Sequence, residues 1–395
     1  MAIASRAKLL IGFVGDVLVN RDNPREVFRD VREILKAPDI LFANLEGAYT
    51  DDPHPAPGMN AMISGRAKNL DVYSEVGFNV MSLANNHILD VGCAAMLENR
   101  SRLRAQGVKT CGAGECLADA REPAIVEAEG LRVAFLAYAS VFPLGYEAYL
   151  NIPGLVPVRA YDLWRTPLPH IHMPGARPVA STVPDPGDLA RLAEDIQRAR
   201  ERADLVITSF HWGDQSRPFH LTDHEARTAK FCIDQGAAMV VGHHHHAIRG
   251  MEWYKGKPIM YGLGHFVFDF RLGMTTAELN KLLLELSPGE YWNSPYVVGP
   301  REGWPWLPMH EDMRMTVMAW AIADRGGVHE IGFLPCTLTP DGSVQPLRLG
   351  STASSAVVSY FERCNASQRL GGRAIPDSTL SLAGFHTMRV VPVGA

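Results

Sequence analysis

The chain has 395 residues, of which 47% are hydrophobic and 21% charged, and its formal net charge is −5. These values are typical of a soluble globular protein, and the lack of excess positive charge argues against a nucleic-acid partner. The six cysteines include no C-x-x-C pair, which excludes a zinc finger or a disulfide scaffold and predicts thiols in a reducing compartment. No apolar run is long enough for a membrane anchor or signal peptide, so we expect a cytoplasmic protein.

The first 270 residues alternate between two kinds of pattern. Continuous apolar runs that end at glycine or polar residues predict buried strands over 9–14, 39–47, 79–84, 205–210, 239–241 and 258–263, with a hairpin-like pair over 124–128 and 132–138. Apolar residues at helical spacing predict helices over 27–35, 70–76, 94–106, 188–203 and 222–235. This alternation favours a layered α/β domain.

Other segments depart from that alternation. Residues 51–65 and the proline-rich stretch 142–187 predict loops, and the length of the second indicates a lid or a binding loop. Beyond residue 269 we predict a helix over 275–286, a Trp- and Pro-rich loop over 289–310, antiparallel strands over 313–323 and 329–339, a helix over 351–364 and an irregular tail from 372. We expect a single domain over 1–395, with a core over 9–270 that residues 271–395 complete.

One predicted strand, 239–241, runs through Gly242 into four consecutive histidines, His243 to His246. Imidazole is the commonest metal-binding side chain, and several imidazoles at one strand end need a shared cation or water to satisfy them. A solvated loop is the alternative. Other strand ends carry matching groups, which favours the metal site.

Those matching groups share one position, because each follows an apolar run at its carboxyl end, where open α/β sheets place their sites. They are Asp16, Glu46, Asn86 and His211, in addition to the histidine run. Carboxylate, amide and imidazole donors suit Mn, Zn, Fe or Ca rather than a soft metal. The sequence therefore predicts one or two divalent metal ions at this edge, with a carboxylate able to bridge two of them.

The order of these motifs resembles the CapA/PgsA family, named for capsule and poly-γ-glutamate synthesis and grouped with the calcineurin-like metallophosphoesterases. The resemblance covers about residues 9–270. It rests on Gly15-Asp16, Asn44-Leu45-Glu46, Asn85-Asn86-His87 with Asp90, His211-Trp212-Gly213, Gly242-His243-His244-x-His246 and Gly264-x-Phe266. It implies a four-layer α/β/β/α sandwich, two stacked sheets flanked by helices, with divalent metal at the strand ends.

The resemblance also implies roles for individual residues. The metal ligands are Asp16, Glu46 as the bridging carboxylate, Asn86, His211, His244 and His246. His87 is the adjacent acid and Asp90 orients it. Alternatives stay open, since Asp16 and Asn86 could cap helices, His211 could be a core histidine and Asp90 could be an ordinary helix charge.

The chain departs from the family in having His245 where proline is usual and His265 where asparagine is usual. Members of the family are commonly membrane-anchored, whereas we expect this chain to have no anchor. His265 could be one more ligand or hydrogen-bonding group, or an added general acid or base. Two imidazoles on opposite sides of a metal, His87 and His265, would suit proton exchange at a peptide α-carbon. Trp253, Trp292, Trp304 and Trp306 lie in segments expected to border the site or to anchor the core.

Three functions follow from this reasoning. The first is metal-dependent Cα epimerisation of a ribosomally made, lasso-type precursor peptide, a reaction known in the wider CapA-like group, with a peptide as partner. The second is metal-dependent hydrolysis of a phosphoester or of a γ-glutamyl or peptide amide, for which His265 is not required. The third is a non-catalytic, ligand-binding component of polyglutamate or capsule synthesis. The sequence leaves the oligomeric state open.

Overall fold

The structure is a computed structural model that describes residues 8–55, 62–168, 170–271 and 302–394. Its strands are, in chain order, β1 (Leu9–Leu18), β2 (Ile40–Leu45), β3 (Ala48–Tyr49), β4 (Ser64–Gly65), β5 (Val80–Ser82), β6 (Lys109–Cys111), β7 (Ala113–Gly114), β8 (Ala124–Ala128), β9 (Leu131–Ala139), β10 (Gly154–Leu155), β11 (Ala160–Arg165), β12 (Val179–Pro184), β13 (Leu205–His211), β14 (Met239–His243), β15 (Met251–Tyr254), β16 (Lys257–Met260), β17 (His265–Phe268), β18 (Met315–Asp324), β19 (Gly327–Leu338), β20 (Val344–Pro346), β21 (Gly372–Leu382) and β22 (Phe385–Pro392).

The α-helices of this part of the chain are α1 (Arg32–Leu35), α2 (Val72–Val76), α3 (Cys93–Ala105), α4 (Leu117–Ala120), α5 (Pro186–Arg202), α6 (Asp223–Gln235) and α7 (Thr352–Gln368). Short 3-10 segments cover Glu26–Phe28, Ala67–Asp71 and Glu311–Arg314. Among the described residues, no helix is both long and apolar enough to span a membrane.

Two sheets form the centre of the molecule. The larger has the order β21-β22-β19-β18-β1-β2-β5-β6, with β17 also paired to β1 and β20 to β19. The smaller has the order β15-β16-β14-β13-β9-β8. The predicted C-terminal strands are β18 and β19, and they complete the larger sheet, since β18 pairs antiparallel with both β1 and β19.

Successive side chains in the strands of the smaller sheet pack alternately into two cores, which explains why these strands are apolar throughout. In β13, Leu205 and Ile207 belong to the core that includes the larger sheet, whereas Val206 belongs to the core beneath α5 and α6. The stacked rings of Phe42 and Phe135, 5.3 Å apart, join the two sheets. Side chains buried on both faces need apolar residues at every position.

Helices cover both outer faces. Helices α5 and α6 pack on the smaller sheet, and α7 lies against β19, where Phe361 packs on Phe333 at 4.9 Å. The result is the predicted four-layer α/β/β/α sandwich of the metallophosphoesterase type.

Several predictions of local structure need correction. The stretch 142–187 is not structureless, because β11 and β12 form an antiparallel hairpin within it. The tail from 372 is a strand pair, β21 and β22, rather than irregular chain. Most residues of these strands are at least partly exposed, so they lack the buried apolar pattern that reveals the central strands. The helix predicted over 275–286 and most of the loop predicted over 289–310 lie outside the described residues.

Candidate metal centre

Strand register brings the predicted ligands to one edge of the sandwich. Asp16 of β1 lies beside Asn44 of β2 and beside His265 of β17 in parallel pairing. In the smaller sheet, His211 of β13 lies beside His243 of β14. The carboxyl ends of parallel strands share an edge, so these side chains converge from both sheets.

Two glycines permit the close backbone approach that this edge requires. A Cβ at Gly15 would lie 1.8 Å from the carbonyl oxygen of Gly264, and one at Gly242 would lie 2.0 Å from that of Tyr261. Any larger residue would therefore collide with the backbone at Gly264 or Tyr261, in the segment between β16 and β17. Close packing therefore explains why glycine precedes Asp16 and the histidines.

We call residues 243–246 the histidine turn. Its backbone reverses direction through two non-glycine residues with positive φ, His244 at 91° and His246 at 55°. Such conformations are uncommon for residues with a side chain and concentrate at functional sites. The His246 side chain lies beside Asp16 and Glu46, and the His244 side chain lies beside His211.

Glu46 is the centre of the cluster. Its Oε1 atom lies 3.7 Å from Nε2 of His246 and 3.8 Å from Nε2 of His211. Nε2 of His211 also lies 2.7 Å from Oδ1 of Asn86 and 3.0 Å from Nδ1 of His244. Asp16, Glu46 and His211 each offer a ligand atom within 4.8 Å of the others.

Asp16 supports the same cluster from the side of the larger sheet. Its Oδ2 lies 3.4 Å from Nδ1 of His246, and its Oδ1 accepts a hydrogen bond from the Asn44 side chain at 2.8 Å. Asn44 also contacts His211 at 3.3 Å, so its side chain connects Asp16 of the larger sheet with His211 of the smaller sheet. The structure therefore brings Asp16, Glu46, Asn86, His211, His244 and His246 together, as expected.

Electrostatics at this edge suit a cation. Burial, followed by the charge of Asp16, raises the pKa of Glu46 well above its ordinary value. Burial also lowers the pKa of His211 and His244 well below the ordinary value, which keeps these imidazoles neutral. Neutral imidazole is the form that binds metal, and a divalent ion would offset the cost of burying two carboxylates together.

The unsatisfied atoms of Glu46 test whether a metal fits. The residue is fully buried, and neither carboxylate oxygen has a hydrogen-bond partner among the described residues. The Nε2 atoms of His246 and His211 stand 3.7 and 3.8 Å from its Oε1 atom, too far for hydrogen bonds. Two ligands that each lie about 2.0–2.2 Å from a shared ion have this separation, so the donor set fits a divalent metal.

His87 lies beside this cluster and, unlike the imidazoles of His211, His244 and His246, is partly exposed. Its Nδ1 atom lies 2.8 Å from Asp90, and its Nε2 atom lies 4.0 Å from Glu46 Oε1. Asp90 is fully buried and also accepts hydrogen bonds from the Ile63 amide at 2.9 Å and the Tyr146 hydroxyl at 3.0 Å. A carboxylate held by three donors fixes the ring and leaves Nε2 facing the cluster.

His265 stands at the expected strand end but is enclosed. It has no exposed surface, and its ring stacks on His246 at 4.2 Å and on Phe268 at 4.4 Å. Neither ring nitrogen has a hydrogen bond of normal geometry within the described part of the chain. Burial lowers its pKa well below the ordinary value. It therefore packs behind a ligand instead of facing solvent.

The two other histidines of the turn, His243 and His245, have different surroundings. The sequence left their roles open. Nδ1 of His243 lies 3.6 Å from Oδ1 of Asp16, and burial lowers its pKa to about 4. Nε2 of His245 lies 2.8 Å from Glu225, at the start of α6, and both side chains are fully buried. His245 thus ties the turn to a helix. Tyr146, which bonds Asp90, has no signal in the sequence.

An α/β/β/α sandwich with carboxylate, amide and imidazole groups at the strand ends defines a metallophosphoesterase-like protein. The model of one family in that superfamily, described as "Bacterial capsule synthesis protein PGA_cap", matches residues 10–270. This match covers more than half of the chain, so the protein belongs to that family.

The relatives of known name are distant. The PGA biosynthesis protein CapA of Bacillus subtilis is 27% identical over 66% of this chain and 63% of its own length. The capsule biosynthesis protein CapA of Bacillus anthracis is 29% identical over 66% of this chain and 60% of its own length. A probable polyglutamine synthesis accessory protein of Mycobacterium tuberculosis is 29% identical over 59% of this chain and 57% of its own length. The chain thus matches less than two thirds of each of these relatives.

A hypothetical protein from Thermus thermophilus is similar in structure, with a TM-score of 0.41 and 16% identity over 86% of this chain and 98% of that one. This likeness is too low to inform the function.

Proposed function

We propose that the protein is a divalent-metal-dependent hydrolase that cleaves an amide bond in a peptide or γ-glutamyl substrate, with His87 as the proton donor. The observation that carries the proposal is the position of His87, whose Nε2 atom lies 4.0 Å from Glu46 while its Nδ1 atom is held by Asp90 at 2.8 Å. The names of the relatives, which concern PGA, capsule and polyglutamine synthesis, support a substrate built from amino acids.

Each residue has a part in this scheme. Asp16, Glu46, Asn86, His211, His244 and His246 would hold the ion. When bound, a divalent ion supplies a Lewis acid that polarises a carbonyl group and makes water a stronger nucleophile. His87 is the partly exposed imidazole of the cluster, so it can give a proton to the departing amine. Asp90 keeps the proton on Nδ1 in place and thereby orients Nε2 toward the substrate.

Epimerisation at a peptide α-carbon is the second candidate, and His265 is the observation that favours it. An imidazole replaces the usual asparagine there, and its ring nitrogens have no normal hydrogen bond among the described residues. A second acid–base group would nevertheless have to reach the substrate, and His265 has no exposed surface and lies behind His246. Hydrolysis needs His87 alone, so the arrangement favours hydrolysis.

An assay in heavy water separates these reactions. The manganese-loaded protein is incubated with a γ-linked glutamate oligomer, an α-linked peptide and p-nitrophenyl phosphate, and the products are analysed by mass spectrometry. We expect a cleaved amide with loss of activity in the His87→Asn variant. Released phosphate without amide cleavage would reassign the enzyme to phosphoesters. Deuterium at one α-carbon without cleavage, abolished by His265→Asn, would establish epimerisation and contradict the proposal.

A further inference from the structure

A cavity of about 420 Å³ lies beside the metal centre, and none of the predicted ligands lines it. Its walls come from the chain after β1, the segment at β4 and the chain after β17. The lining includes Leu18, Arg21, Ile63, Arg66, Asp269 and Arg271. Most of these side chains are polar or charged, so the cavity does not suit an apolar ligand.

Two connections place this cavity within reach of the reacting bond. Leu18 follows the ligand Asp16 by two residues along the same strand, which corresponds to about 7 Å. Ile63 lines the cavity and donates its amide hydrogen to Asp90, the carboxylate that holds His87. A substrate chain that passes the metal centre would therefore bring a neighbouring residue to the cavity.

Two of the three arginines in the cavity are neutralised by carboxylates. Arg21 is largely buried and forms a two-pronged pair with Asp269, in which its Nε lies 2.8 Å from Oδ2. Arg66 lies 2.7 Å from the exposed carboxylate of Asp22. These pairs shape the wall and leave little net charge of their own.

Arg271 supplies the unmatched charge. Its guanidinium carbon lies 3.3 Å from the centre of the Trp306 ring, which also carries the guanidinium of Arg21 at 4.2 Å. No carboxylate among the described residues forms an ion pair with Arg271. A guanidinium held by its face over an aromatic ring keeps its N–H edge free for a planar, two-oxygen anion.

We propose that this cavity binds the carboxylate of a glutamyl residue that lies one or two residues from the bond acted on at the metal centre. Arg271 contacts the carboxylate, and Trp306 with Arg21 positions Arg271. This assignment of the substrate class rests on the proposed function, but it concerns binding and not the chemical step. It selects an acidic peptide over a neutral one of the same length.

Binding of labelled oligomers to the manganese-loaded full chain tests the proposal. The probes are a pentamer of γ-linked glutamate and the matching pentamer of γ-linked isoglutamine, in which an amide replaces each side α-carboxylate. Fluorescence anisotropy gives the dissociation constants. The variants are Arg271→Gln, Arg271→Lys and, as a matched control, Arg325→Gln. Arg325 is an exposed arginine in the turn between β18 and β19, and it pairs with Asp204. This turn lies near the start of β1, whereas the cavity lies at its end. The wild type and the three variants share the same predicted metal ligands. Any contact between a probe carboxylate and the ion is therefore the same in all four proteins.

We expect Arg271→Gln to weaken binding of the glutamate pentamer about tenfold, the range for losing a hydrogen bond to a charged group. Arg271→Lys should weaken it less, and Arg325→Gln should leave it unchanged. The isoglutamine pentamer should bind the wild type and the three variants equally. Equal affinity in Arg271→Gln, an equal loss for both pentamers, or inorganic phosphate competing as well as the glutamate pentamer would overturn the proposal. Catalysis is scored separately, so a binding difference in a protein that cleaves no amide would refute the proposed function alone.

Discussion

The histidine turn and the His87–Asp90 pair both place imidazole beside the carboxylate of Glu46, yet their surroundings are opposite. The side chain of His87 is 17% exposed, and a buried carboxylate holds it at 2.8 Å. His243 to His246 are buried, and one of them, His245, pairs with Glu225 at the same distance of 2.8 Å. The same His–carboxylate contact thus occurs at a partly exposed position, where we propose that it serves proton transfer, and in the buried interior, where it ties the turn to α6.

The largest effect on activity should come from replacing His87, the partly exposed histidine of this comparison. His87→Asn removes the proton donor but keeps a polar side chain of similar reach, so we expect kcat to fall by about 10²- to 10⁴-fold. Manganese affinity and the free energy of unfolding should stay near the wild-type values, because His87 is not among the ligands. Steady-state kinetics with isothermal titration check both parts, and a large loss of metal affinity would place His87 among the ligands instead.

The buried histidine turn should make the free energy of unfolding depend on pH. The pKa of His243 is lowered from 6.5 to about 4 by burial, so the unfolded chain takes up a proton below pH 6.5 that the folded chain refuses until about pH 4. The free energy of unfolding of the metal-free protein should therefore fall as pH falls from 6.5 to 4, by about 3 kcal/mol from this residue.

Urea denaturation at pH 7 and pH 4.5 in the presence of a chelator measures this effect. His211 and His244 contribute with the same sign, so the difference between wild type and His243→Asn isolates the share of His243. A variant with the same pH slope as the wild type would show that His243 is protonated or exposed in the folded state.

The anchoring pair should affect stability. Burial lowers the pKa of His245 in spite of Glu225, so the contact joins a neutral imidazole to a carboxylate. We expect His245→Ala to lower the free energy of unfolding by about 2 kcal/mol, the range for leaving a buried polar or charged group without its partner. The matched control is His54→Ala, which removes an exposed histidine 3.2 Å from Asp52 and should change nothing measurable. Equal stability of both variants would remove the anchoring role.

The smallest effect should come from the residue behind His87. Asp90→Asn keeps the hydrogen bonds in outline but removes the charge that fixes the ring, so we expect kcat to fall about tenfold, less than for His87→Asn. The double variant should be no slower than His87→Asn alone, because Asp90 acts through His87. Additive losses in the rate assay would mean that Asp90 has an independent role.

The convergence of the predicted ligands could be anticipated from the sequence for a physical reason. Asp16, Glu46 and His211 each follow a run that is apolar because both faces of its strand are buried, and such runs are visible without a structure. Parallel pairing then brings their ends to one edge. Other features depend on partners far away in the chain. Nothing near His245 indicates Glu225, and nothing near Tyr146 indicates Asp90. The hairpin of β11 and β12 was missed because most of its residues are at least partly exposed.

The central claim is that side chains from both sheets hold one cation site, and anomalous diffraction from a crystal soaked in manganese tests it most directly. The account predicts a peak within about 2.0–2.3 Å of an oxygen of Glu46 and a ring nitrogen of His211 or His246, and its loss in Glu46→Gln. A peak only at other residues, or none at saturating manganese, would contradict it.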